Sequence, residues 1–66
     1  MKHYHEFQQR VIEERESLDD KIKKLIAFLA SEGFNELQEE DAQLLKDQAD
    51  AMMDYSNVLK RRIARF

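Results

Sequence analysis

Through two long stretches of the chain, apolar residues recur at alternating steps of three and four, the spacing that gathers side chains on one face of a helix. In the first stretch the row is Tyr4, Phe7, Val11, Glu14, Leu18, Lys21, Leu25 and Phe28, widened on one side by Ile22, Ile26 and Leu29. In the second it is Leu45, Gln48, Met52, Tyr55, Leu59, Arg62 and Phe66, flanked by Leu44, Ala51, Val58 and Ile63. No proline interrupts either row, and Glu, Lys, Leu, Gln and Ala dominate, so both stretches are expected to be amphipathic helices.

Between the rows lies "SEGFNELQEED", which holds the single glycine of the chain. Gly33 adopts a left-handed backbone without steric cost, so the first helix is expected to stop near Ser31 or Glu32. Glu36, Glu39, Glu40 and Asp41 suit the positive N-terminal end of the next helix, with Asn35 as its cap. A connection this short makes the two helices antiparallel neighbours. The fold class read from the sequence is therefore all-α, an antiparallel two-helix hairpin forming a single domain over residues 1–66. Ser17 and Asp20 in "ESLDD" also have the spacing of a helix start and offer a break in helix 1. The row passes through Leu18 without a change of phase, which favours one continuous helix.

Folding the hairpin about Phe34 pairs positions whose numbers add to about 70, given equal rise along both helices. Leu18 then faces Met52, Val11 faces Leu59 and Tyr4 faces Phe66. The polar members of the rows fall opposite one another too: Glu14 near Tyr55, Lys21 near Gln48, Phe7 beside Arg62.

A chain of this size buries only about 60% of the surface its unfolded state exposes, so it needs additional support. With no cysteine, neither a disulfide nor a thiolate metal site can supply it, and the composition fits a reducing compartment such as a cytoplasm. Ile12, Ile26, Ala51, Met53 and Val58 lie off the row, where a two-helix unit has no further layer to cover them. Assembly into a helical homo-oligomer is the expected remedy. No run approaches the roughly 18 apolar residues of a membrane span, and "MKHYHEFQQR" lacks the apolar core of a signal peptide. The acidic polar faces do not suit a membrane surface either.

Little in the sequence supports catalysis. His3 and His5 fall on different helix faces without a completing ligand, which predicts no metal site, and no cofactor motif is present. Ser17, Ser31 and Ser56 have no histidine placed for a nucleophilic triad. An enzyme is not expected.

Charge is distributed more tellingly than the net value of -3 suggests. Residues 36–54 hold seven acids against Lys46 alone, whereas "KRRIARF" holds Lys60, Arg61, Arg62 and Arg65 and no acid. In a hairpin this basic end lies beside Lys2, Arg10 and Arg15, giving a molecule acidic at the loop and basic at the open end. The cations could simply complement a helix C-terminus. Alternatively, they form an anion site in which arginine forks hold phosphate and Phe7 or Tyr4 stacks a base. Duplex binding would need a broader basic surface. Lys21 carries a similar ambiguity. Opposite Gln48 it would fix register or oligomeric state; with Lys24 and Phe28 along one helix edge, a two-fold axis would turn it into a symmetric cationic pocket.

The order of residues in "QQRVIEERESLDDKIKKLIAFLAS", followed by the acidic loop and "LLKDQADAMMDYSNVLKRRIARF", resembles a family of small phage proteins. That family includes the anti-CBASS cyclic-oligonucleotide sponges, which block a bacterial immune pathway by sequestering its nucleotide messenger. The joint occurrence of Arg10-Val11, Lys21, Leu25, Phe28, Met52, Tyr55, Leu59, Arg62-Ile63 and Phe66 carries the resemblance, which runs from Gln8 to Phe66. It implies a homo-oligomer, a hexamer being favoured, that binds cyclic dinucleotides between protomers in the cytoplasm of an infected bacterial host. By position the binding lysine is Lys21, with Lys24 as the next match, and the stacking aromatic is Tyr4 or Phe7. Cyclic trinucleotides would use Arg62, with Arg65 the next match. The proline many relatives carry before helix 2 is replaced by Gln38. Two rivals stand beside this reading: a hairpin that oligomerises or docks on a partner protein, and a nucleic-acid regulator using "KRRIAR".

Overall fold

The computed structural model describes residues 4–66; Lys2 and His3 lie outside the described residues. Three helices follow in order: α1 (Glu6–Leu29), a four-residue α2 (Glu32–Asn35) and α3 (Glu39–Ile63). The two long helices pack against each other as a hairpin measuring 48 × 16 × 14 Å.

α1 runs unbroken through Ser17, so the alternative start there is not used. Leu18 is buried one residue on, and the ion pairs Arg10–Glu6 (2.8 Å), Arg15–Asp19 (3.6 Å) and Lys24–Asp20 (3.1 Å) bridge successive turns on either side. At the start of α1 the His5 backbone N–H donates to Gln8 Oε1 at 2.9 Å. α3 carries Glu39, Glu40 and Asp41 in its first turn and Lys60, Arg61 and Arg62 in its last, each sign at the helix end that favours it.

The turn differs from expectation. α1 stops at Leu29, capped by Ala30, and Gly33 lies inside α2 without a positive φ. Glycine is used there for space, since a Cβ would sit 3.3 Å from Phe28 Cε1. Asn35 is not the cap of α3 either; it closes α2, and Gln38 is the N-cap residue. What closes the turn is aromatic. The rings of Phe28 and Phe34 meet edge to face at 6.4 Å, the Lys46 ammonium stands 5.6 Å from the Phe34 ring, and the Ser31 hydroxyl donates to the Phe28 carbonyl at 2.6 Å.

The core is thin. Val11, Leu18, Ile22 and Leu59 form one buried cluster, with Met52, Ile63 and Phe66 packed against it and Leu59 only 1% exposed. Tyr4 meets Phe66 as expected, with ring centroids 6.3 Å apart, and Val11, Leu18, Met52 and Leu59 share one cluster, but the hydrogen bond from Ser56 to Asp19 joins positions about one turn away from the expected register. A radius of gyration of 15.2 Å exceeds the ~11 Å of a compact chain of this length. Its accessible surface of 5482 Å² is about a quarter above the ~4,400 Å² of a compact monomer.

The interhelical seam is not the row with strict alternation. Its buried and half-buried residues are Val11, Arg15, Leu18, Ile22, Leu25 and Leu29 on α1, facing Ala42, Leu45, Ala49, Met52, Ser56, Leu59 and Ile63 on α3. Glu14, Lys21 and Phe28, with Gln48, Tyr55 and Arg62, are exposed. Val11, Leu18 and Leu25 of the row stay in the seam, but the residues that complete it are 15, 22 and 29 on one side of them, while 14, 21 and 28 on the other side are all exposed. Lys21 is therefore not buried in the seam opposite Gln48 to fix register.

Candidate ligand-binding edge

The seam has two edges, and their chemistry differs. On one, Ser56 donates its hydroxyl to Asp19 Oδ1 at 2.5 Å, joining α3 to α1, and Asp19 Oδ2 lies 3.6 Å from Arg15 Nε. The sequence reading assigned Arg15 to the basic open end. Instead it lies along the seam, its Nε buried without a hydrogen-bond acceptor and drawn to Asp19 by charge. Ser56, Asp19 and Arg15 thus lie together on this edge. The missed signal was Asp19 itself, an acid four residues after Arg15 and, on α1, next to the buried stripe.

Helical geometry puts Glu14, Lys21 and Phe28 on the opposite edge of α1, and Gln48, Tyr55 and Arg62 on the matching edge of α3. Here Lys21 stands exposed. Its neighbours three and four positions away are Ser17, Leu18, Lys24 and Leu25, none of them acidic. The α3 residues along this edge from Leu44 to Val58 are Leu44, Gln48, Ala51, Tyr55 and Val58, again without an acid. Glu14 sits two turns away, and neither it nor Lys21 joins an ion pair among the described residues. The Gln48 amide donates to Met52 Sδ at 3.9 Å.

The other proposed ligand residues spread along the molecule. Lys24 is exposed but held by Asp20 at 3.1 Å. Tyr4 packs edge to face on Phe66, while Phe7, 61% exposed, stacks on His5 with centroids 5.7 Å apart. The His5 side chain thus lies against an aromatic ring, and no cluster of metal-ligating side chains occurs among the described residues. Arg62 and Arg65 are both exposed at the open end, and Arg62 shares the Lys21 edge. A shallow groove lies at the other end of the hairpin, lined by Glu39, Glu40, Gln43 and Leu44. Its carboxylates would repel phosphate, so it is not an anion site. No helix among the described residues is long and apolar enough to cross a membrane.

The described residues thus form a narrow all-helical hairpin in which Ser56, Asp19 and Arg15 meet along one edge and Lys21 stands exposed along the other. A family model of Sequestin matches residues 5–65, so the chain belongs to the Sequestin family. The match spans nearly all of the stretch that resembles the anti-CBASS sponges, and the family name points to a sequestering protein without a catalytic role. No curated protein and no solved structure matches the chain.

Proposed function

We propose that this protein binds and sequesters cyclic oligonucleotides, so that the messenger of an anti-phage immune pathway is withheld from its effector and later released unchanged. The observation that favours this reading is Lys21, an exposed ammonium on an edge that offers it no neighbouring carboxylate within its own protomer. A phosphate would supply the missing counter-charge, through a charge-assisted hydrogen bond stronger than a neutral one. Exposed rings complete the chemistry: Phe7 or Tyr4 would stack on a base, and Tyr55 and Phe28 lie along the same edge. Because a cyclic dinucleotide carries two phosphates, Lys21 from two protomers of a homo-oligomer, with a hexamer favoured, would neutralise both. Lys24, already held by Asp20, takes a supporting part, and Arg62, assisted by Arg65, receives a cyclic trinucleotide at the open end.

Calorimetry with cyclic di- and trinucleotides tests the proposal, followed by recovery of the intact ligand after the protein is denatured. Binding at micromolar protein with unaltered ligand is expected. No heat with any member of the panel rules out a sponge, and conversion of the ligand rules out a non-catalytic one. A second reading, a hairpin that assembles or docks on a partner protein, is favoured by the exposure of Leu44, Tyr55, Val58, Ile26 and Met53. It predicts assembly or partner capture with no nucleotide binding.

A further inference from the structure

Phosphate binding leaves one charge on the Lys21 edge unexplained. Glu14 lies seven residues before Lys21 on that edge, is exposed, and joins no ion pair among the described residues. The cation four positions before it, Arg10, is held instead by Glu6 at 2.8 Å. Arg62, on the matching edge of α3, forms no ion pair with it either. A free carboxylate beside a phosphate site repels the ligand unless it meets a hydrogen-bond donor, and in a nucleotide the donors of the ring system belong to the base. We infer that Glu14 reads the base, accepting a hydrogen bond from the exocyclic amino group of adenine, guanine or cytosine while Lys21 holds the phosphate. This inference rests on the cyclic-oligonucleotide reading and adds to it a preference among bases.

Spacing and chemistry agree with that role. Seven residues of α-helix carry Glu14 about 10 Å along the axis from Lys21, a span of the order of that between a nucleotide's phosphate and the outer edge of its base. Contacts between the long helices join Tyr4 to Phe66 and Asp19 to Ser56. These two registers place Tyr55 of α3 across from about residues 15–20 of α1, the stretch between Glu14 and Lys21, and its side chain is 46% exposed. In order along the edge there are then a cation for phosphate, a ring on which a base stacks and an acceptor for the base's amine. An ionised carboxylate accepts and cannot donate, so it favours an amino group and disfavours the carbonyl oxygen that uracil presents instead. A site built to accept from an amino group rejects the analogue lacking it, because its own polar group is then left unpaired.

Two probes test the assignment: cyclic di-AMP and the cyclic dinucleotide of purine riboside, which differs from it only in lacking the amino groups. Calorimetry of the native chain should show cyclic di-AMP binding at least about tenfold more tightly. Glu14→Ala should bring the two ligands to within about twofold, and Glu14→Gln, whose neutral carbonyl still accepts but more weakly, should give an intermediate ratio. Glu13→Gln, with the same change in charge off the edge, should keep the native ratio. Each ratio compares two ligands on one protein sample, so partial unfolding of a variant does not imitate the effect. Equal binding of the two by the native chain, or a preference that survives Glu14→Ala, overturns the inference and leaves the sponge reading standing. A uniform gain in affinity for both ligands in Glu14→Ala, with their ratio unchanged, also overturns it, because Glu14 then only repels phosphate. A native chain that binds no cyclic oligonucleotide at all overturns both the inference and the reading on which it rests.

Discussion

The two edges of the hairpin come from the same amphipathic pattern and reach opposite states. Along the Asp19 edge the Ser56 hydroxyl of α3 donates to the Asp19 carboxylate of α1, and Arg15 of the same helix lies 3.6 Å from that carboxylate. Along the Lys21 edge Glu14 and Lys21 join no ion pair among the described residues, and Phe7 and Tyr55 are largely exposed. The difference teaches where this small protein spends its polar groups. One edge joins the two helices to each other, and the other carries Lys21 into solvent.

Substitutions can break that comparison in order of size. Leu59 is the most buried side chain of the core between the two long helices, so Leu59→Ala should cost about 2–5 kcal/mol and abolish the contrast by unfolding the hairpin, as thermal denaturation would show. Asp19→Ala strikes one edge alone. It removes the acceptor of Ser56 and the counter-charge of Arg15, and should cost about 1–3 kcal/mol in urea titration. Lys21→Ala is the mirror experiment: stability should stay within about 0.5 kcal/mol, as for other exposed surface sites, while cyclic dinucleotide affinity falls at least about tenfold. Retained affinity would move the phosphate contact to Lys24 or elsewhere. Arg62→Ala should spare the dinucleotide and weaken a trinucleotide, sharpening the edge into two sites; equal loss of both would make it one.

The smallest effect lies at the turn. Gly33→Ala should change stability by no more than about 0.5 kcal/mol, because the gain in helix propensity opposes the close contact with the Phe28 ring 3.3 Å away. A left-handed cap at this position would instead make the alanine clearly destabilising, which thermal melts distinguish.

Much of the fold was legible because it is local. Periodicity, the absence of proline and the end-to-end separation of charge depend only on neighbours along the chain, and so does the continuity of α1 through Leu18. The register was legible to within about a turn, since equal rise in two antiparallel helices leaves one free number: Tyr4 against Phe66 agrees with it, and Ser56 against Asp19 departs from it by about one turn. Gly33 misled because glycine answers two demands, a left-handed backbone or missing volume, and only the position of the Phe28 ring tells them apart.

By itself the sequence determined two amphipathic helices, a short acidic turn, a basic open end and the residue order that carries the family. Tertiary structure alone decided which rows close the seam. Val11, Leu18 and Leu25 can be joined in a seam by the row on either side of them, and packing against α3 selected 15, 22 and 29 rather than 14, 21 and 28. That choice placed Arg15, Asp19 and Ser56 together along one edge and left Lys21 exposed on the other.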